Sequence, residues 1–354
     1  MKAIDRLSVI RHKSKINKDW KHTDLFRILR KNDIWIVAYE NVKNNTEALR
    51  FKITRETSGG GINMERLVKL RDKVVNERYQ FKALNEIEIW KSNGQNRALN
   101  LSTMEDNIVQ EVIRMVLEAI YEPCFSKQSF SFRQGLGTHD VLEYLESKFR
   151  WVDWVFENGR KGEDLTIEHT QLYNVLSKKI QDVRFMNLIR KLLKDDGLRQ
   201  KLTQPHLGLS QGNNIYPILA NIYFNEFDKW VEKKVNMLKQ PPIEQSNKKY
   251  TQLCSKIAKR VNQTQKLDPK SKAYKNLLKE LKLLKKERVN IPNLAKKDIK
   301  IEYVRYANDW IIGIKGEKTL AKELNTEVSR FMKVYLKQTF YPTKSKIIEL
   351  RLGK

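Results

Sequence analysis

At 354 residues the chain is long enough for two or three structural units, and 69 Lys and Arg against 42 Asp and Glu leave a formal net charge of +27. A charge that large suits a polyanionic partner, nucleic acid first, with a membrane surface or plain solubility as the other readings. Hydrophobic residues at 40% supply a core and exclude wholesale disorder, while two cysteines, Cys124 and Cys254, and five scattered histidines exclude a disulfide framework or a Cys/His metal module and fit a reducing compartment.

No run approaches 18 apolar residues, so no membrane partner is expected. The first fifteen residues, MKAIDRLSVIRHKSK, lack an apolar signal core, although they have the character of a basic, weakly amphipathic presequence. Residues 20–39 carry helix-type apolar positions (Leu25, Ile28, Leu29) and a second cluster at 34–37, which helix packing explains without any function. Thr57-Ser58-Gly59-Gly60-Gly61-Ile62 raises the question of a phosphate loop, but no Gly-Lys-Ser/Thr follows and a Walker-type reading fails. Residues 91–99 then offer a strand end, an Asn93-Gly94 turn and a second strand opening at Arg97, a basic hairpin that solvation alone would explain.

Residues 104–120 place Ile108, Val112, Met115, Val116 and Ala119 at helical spacing. The phrases Tyr121-Glu122-Pro123-Cys124-Phe125-Ser126 and Ser131-Phe132-Arg133-Gln134-Gly135 follow. Residues 151–169 read as a strand end and a solvated turn that contains Gly159, Asp164 and Glu168. Gly208 opens a loop, Gly-Leu-Ser-Gln-Gly-Asn-Asn, ahead of a helix over 217–235 with Pro217 in its first turn. Residues 231–300 differ in kind, with 20 Lys and Arg against six Asp and Glu, a net +14 that is about half of the whole charge, and only scattered leucines.

Residues 301–314, IEYVRYANDWIIGI, read as two apolar strands meeting at a tight polar corner with Asn308 and Asp309 side by side. Such a hairpin holds metal-binding oxygens on a rigid support, or is an ordinary hairpin with an Asn-Asp turn. A helix over 318–336 and a strand near Pro342 to Ile347 complete the chain.

Tyr306-Ala307-Asn308-Asp309 resembles the reverse-transcriptase signature Tyr-Ala-Asp-Asp within the phrase YVRYADD. Together with YEPCFS, SFRQG, the Gln211-Gly212 loop and the LANIY helix opening, it is similar to the proteins encoded within group II introns, which act as reverse transcriptases and as maturases. The resemblance implies an α+β right-hand polymerase-like fold with fingers and palm and the thumb absent. Its expected parts are an N-terminal extension (1–55), fingers (56–150), a first palm portion (151–230), a basic insertion (231–300) and a second palm portion (301–354). It also implies that Lys91 and Arg97 face triphosphate or template, that Phe132 and Arg133 contact template or substrate, and that Gln211 and Gly212 remain of the nucleotide loop, where Ser210, Asn213 and Tyr216 replace the usual Pro, Gly and Ser.

Nucleotidyl transfer in that family needs two divalent ions held by three carboxylates. Asp309 is the surviving one and a weak metal candidate. Asn308 stands where the family has Asp, and alignment through Trp154, Glu157, Lys161, Gly162, Ile167 and His169 sets Gly159 at the other essential aspartate. The second family aspartate falls on Leu165, with Asp164 adjacent and Glu168 three further on. Losing such ligands costs a factor of thousands or more in rate. The implied function is therefore a maturase-like RNA-binding protein assisting splicing of a group II or related group III intron, with intron RNA as partner, no cofactor required, and a second protein supplying the thumb or X domain. The alternatives are an active RNA-directed DNA polymerase using Mg²⁺ and a decayed intron reading frame. The family and the Lys- and Asn-rich composition imply an organelle, plastid or mitochondrion, and the basic surfaces expected to hold RNA are residues 13–30 and 231–300.

Overall fold

A computed structural model describes residues 1–44, 62–82, 102–157, 167–195, 214–239, 248–269, 271–291, 299–338 and 347–350, together with the backbone of two strands within 83–101. The chain is α+β: among the described residues it is mostly helices, with one antiparallel ladder of two strands and one of four.

The core is organised around α4 (Met104–Tyr121), for which α1 (Ala3–Ile16), α2 (Asn32–Asn44) and α3 (Met64–Val75) are introduced first in the chain. Thr103 caps α4, its hydroxyl accepting from the Asp106 amide at 3.2 Å. Ile108, Val109, Val112, Ile113, Val116 and Ile120 are fully buried, so this helix is wrapped on nearly all sides. Two of its buried acids are held from neighbouring segments: Tyr79 donates to Asp106 at 2.7 Å and the Asn41 amide donates to Glu111 at 2.8 Å. α1 and α2 pack directly on α4, and Ala3, Leu25, Trp35 and Ala38 join the same core, so the expected N-terminal extension is continuous with the rest of the molecule.

β1 (Asn85–Trp90) and β2 (Asn96–Leu101) form the hairpin expected around Asn93-Gly94, with Trp90 opposite Asn96. After α5 (Thr138–Lys148) comes the larger sheet. Its strands are β3 (Trp154–Glu157), β4 (Lys300–Tyr306), β5 (Asp309–Lys315) and β6 (Ile348–Glu349), in the order β4-β5-β3-β6. β3 pairs with β5 from Trp154 opposite Ile314 to Glu157 opposite Ile311. Both faces of this sheet are covered. Tyr303, Trp310 and Ile312 pack into the main core, while Val304 and Ile311 meet Phe130, Val141 and Phe149 on the other side.

α6 (His169–Ser177), α7 (Val183–Asp195) and α8 (Tyr216–Lys239) close the core, followed by α9 (Lys248–Thr264), α10 (Lys272–Val289) and, after the hairpin, α11 (Lys318–Val334). α8 runs without a break through the boundary expected near 230/231, and most of the basic stretch behind it is helical rather than irregular. No described helix is long and apolar enough to cross a membrane.

Candidate functional site

The β4–β5 hairpin turns through Ala307 and Asn308, with Asp309 already the first residue of the second strand. Ala307 takes a positive φ of 56°, at the first central position of the turn, the sense that matches the twist of paired strands. For a residue with a Cβ this costs about 1 kcal/mol or more, so something must hold the turn in place.

The holding group is Arg305. Its side chain is fully buried, and its five N–H groups all have acceptors. Nε and one terminal nitrogen grip Asp228 on α8 at 2.8 and 2.7 Å, a two-pronged contact between fully buried charges. That terminal nitrogen also reaches the Ser129 hydroxyl at 2.7 Å, and the other donates to Asn221 at 3.1 Å and to the carbonyl of Ala307 at 2.7 Å. Burial disfavours the Arg305 cation, but Asp228 outweighs it and holds the guanidinium above its usual range. Tyr303 donates to the same carboxylate at 2.6 Å, and burial together with the Asp228 charge pushes its phenol well above the ordinary value.

The backbone repeats the attachment. Arg305 N donates to Gln128 at 2.8 Å and Phe130 N donates back to Arg305 at 3.0 Å, so the segment after YEPCFS lies beside β4 as a short parallel bridge. Asn221 donates onward to Ser131 at 2.9 Å. Three phrases far apart in sequence, YEPCFS to SFRQG, LANIY and YVRYAND, thus converge on one buried arginine.

The surface above it carries the candidate residues. Asp309 and Tyr306 are exposed and Asn308 is half-buried; the Tyr306 hydroxyl lies 3.1 Å from that of Thr138. Phe132, one of the expected RNA contacts, is 60% exposed and has a positive φ of 56°, an unusual conformation for a bulky residue that turns its ring away from the core. Arg133 is different. It pairs with Glu122 at 2.9 Å, donates to the carbonyls of Ser126 and Ser129 at 2.8 and 2.7 Å, and lies over the Phe125 ring, so its guanidinium braces the loop that presents Phe132. Lys91, Gly159, Gln211 and Gly212 lie outside the described residues, as does Asp164. For Arg97 only the backbone is described, opposite Ile89 in the β1–β2 ladder.

The donor set for divalent ions does not assemble among the described residues, where no group of three or more His, Cys, Asp or Glu is arranged to hold a metal. Glu168, the nearby carboxylate expected from sequence, caps α6 by accepting from the Thr170 and Gln171 amides at 3.0 and 2.6 Å.

Sequence reasoning missed Asn221, Asp228, Ser129 and the burial of Arg305. A signal existed for two of them, because Asn221 and Asp228 stand seven residues apart, on one face of a helix otherwise rich in Ile, Leu, Tyr and Phe.

No family model matches the chain. The chain is 30% identical over 350 residues to the group II intron-encoded protein LtrA of Lactococcus lactis, covering 98% of this chain and 57% of that protein. It is also 30% identical over 322 residues to the putative COX1/OXI3 intron 1 protein of Saccharomyces cerevisiae, with 90% of this chain and 37% of that one covered. To the nuclear intron maturase 2, mitochondrial, of Arabidopsis thaliana it is 24% identical over 286 residues, covering 62% of this chain and 37% of the maturase. The chain belongs to the family of group II intron-encoded proteins and intron maturases. It spans about half the length of the relatives it matches, or less.

Proposed function

We propose that the protein is a maturase-like RNA-binding protein that assists splicing of a group II intron, with the fingers and palm of a reverse transcriptase used to hold RNA rather than to polymerise. The observation that carries this reading is the corner itself: the Arg305 anchor is complete, while the position beside Asp309 is Asn308, which offers a neutral amide oxygen and no charge. On this reading catalysis of splicing belongs to the RNA, and no metal is required of the protein.

Phosphate contacts need Lys and Arg rather than metal ligands, so a chain of +27 keeps its grip on RNA without the carboxylates. Phe132, braced by Arg133, supplies a face for an unpaired base. The relatives are about twice as long, which leaves room for a further RNA-holding segment, on the same polypeptide or on a second protein. The relatives from Marchantia polymorpha and Arabidopsis thaliana are mitochondrial proteins, which favours the mitochondrion here.

The test is competition at physiological salt between the intron RNA that carries this reading frame and an unrelated RNA of equal length. The intron should win by at least about tenfold, since non-specific electrostatic binding weakens steeply as salt rises. Equal affinity would reject the maturase role. Primer extension on an RNA template with Mg²⁺ or Mn²⁺ should give no product above background, and a product abolished by Asp309→Ala would establish the polymerase reading instead.

A further inference from the structure

α9 and α10 form a unit of their own: they fold back on each other, share Leu253, Ile257 and Leu281 as a small core separate from the main one, and are joined by an ion pair between Arg260 and Glu280 at 3.0 Å. Ser271 caps the second helix by accepting from the Tyr274 amide at 3.1 Å.

The charges on this unit are sorted. On α10, Lys272, Lys275, Lys279, Lys282 and Lys286 recur at alternating spacings of three and four residues, and every one is exposed. At 100° per residue they fall within an arc of about 80°, centred roughly opposite Leu277, Leu281 and Leu284. The two acids of the helix, Glu280 and Glu287, project on the far flank, away from the lysines. An ordinary solvated helix face interleaves acids and bases at i,i+4; this one segregates them at the cost of like-charge repulsion along the stripe. α9 repeats the pattern. Lys248, Lys249, Lys256 and Lys259 are exposed within about 100° of arc, and that helix contains no acid at all.

Resting on the RNA-binding role proposed above, we infer that the α9–α10 hairpin is an arm that grips the backbone of double-stranded RNA through its lysine stripes. The α10 stripe is straight, about 21 Å long at 1.5 Å per residue, with a cation at every turn, which suits successive phosphates of a stiff duplex. Single-strand binders rely on aromatic side chains for base stacking, and the unit's two aromatics, Tyr250 and Tyr274, are both partly buried. Its exposed apolar residues, Leu278, Leu283 and Val289, do not form one face, which argues against a membrane-surface helix.

The test uses the full chain, with a short blunt RNA duplex and an unstructured single strand as probes, titrated between about 50 and 200 mM salt. Lys275→Gln, Lys279→Gln, Lys282→Gln and Lys286→Gln combined should lower duplex affinity by tenfold or more and flatten the slope of log K against log salt by about 3, with helicity unchanged by circular dichroism. A second variant, Lys279→Glu with Glu287→Lys, keeps the net charge and breaks the stripe, and it too should weaken duplex binding several-fold. Unchanged duplex affinity or slope, or a loss shared equally by the single strand, overturns the arm. If the stripe variant keeps its duplex affinity while the preference for intron RNA persists, the arm falls and the maturase reading stands. If wild type shows no preference for intron RNA, the maturase reading falls, and the duplex slope still decides the arm.

Discussion

Replacing Asp228 by Ala should be among the most damaging single changes in the molecule, although it touches no exposed residue. Arg305 and Asp228 are both 0% exposed, and the guanidinium loses two of its five acceptors, while Tyr303 loses its own. Removing one member of a buried ion pair leaves the other charge uncompensated, at a cost of about 3–5 kcal/mol, a large share of the 5–15 kcal/mol by which ordinary domains are stable. With a urea slope near 3 kcal/mol per molar for a core of this size, the unfolding midpoint should fall by more than about 1 M. The paired replacement Arg305→Met with Asp228→Leu removes both charges and restores apolar volume, so it should recover at least half of the loss. Urea titrations of wild type, Asp228→Ala and the paired variant, followed by circular dichroism, give both numbers. A loss under about 1 kcal/mol for Asp228→Ala, or a paired variant no better than Asp228→Ala alone, would refute the idea that this pair holds the hairpin.

Two further outcomes are expected from packing and protonation. Gly313→Ala should destabilise by about 1–3 kcal/mol, read as a lower urea midpoint, because a Cβ there would lie 2.7 Å from Phe149 Cε1 and 2.8 Å from Val152 Cγ2. Burial, with Lys179 and Lys13 nearby, lowers the His22 imidazole from 6.5 to about 4; the unfolded chain therefore binds the proton first, and stability should fall as pH drops from about 6.5 to 4, by about 3 kcal/mol in all. His22→Gln should flatten that dependence, and a pH profile identical to wild type would show that another group is responsible.

Much of the scaffold was legible because local signals agreed with the fold. The helix at Met64–Val75 and the one beginning at Met104 have clear apolar periodicity, and the former is capped by Asn63, the latter by Thr103. The hairpin at Tyr306–Asp309 follows from β-branched and aromatic runs around a polar corner. The structural roles of the arginines were not legible. Arg305 sits in an alternating strand at an inward position, and Asp228, 77 residues away in sequence, is the charge that makes that tolerable. Nothing local reveals that carbonyls of its own loop accept the donors of Arg133. The helical hairpin in the basic stretch could have been found: Leu253, Ile257 and Val261 recur every four residues, but the density of lysine masked the period.

The way the corner is fastened has a consequence for how the protein changes over generations. Arg305 secures the turn from below through the Ala307 carbonyl, an acceptor every residue possesses, so this contact does not depend on which side chain stands at 308. A lineage could exchange an acid for an amide there and keep this fastening, and would be spared the repulsion of two adjacent carboxylates. On the maturase reading return is harder, since restoring Asp at 308 alone brings back that repulsion before it brings back a complete set of ligands. The bolt that keeps the corner rigid would then let catalysis drift away quietly, and act as a ratchet against its recovery.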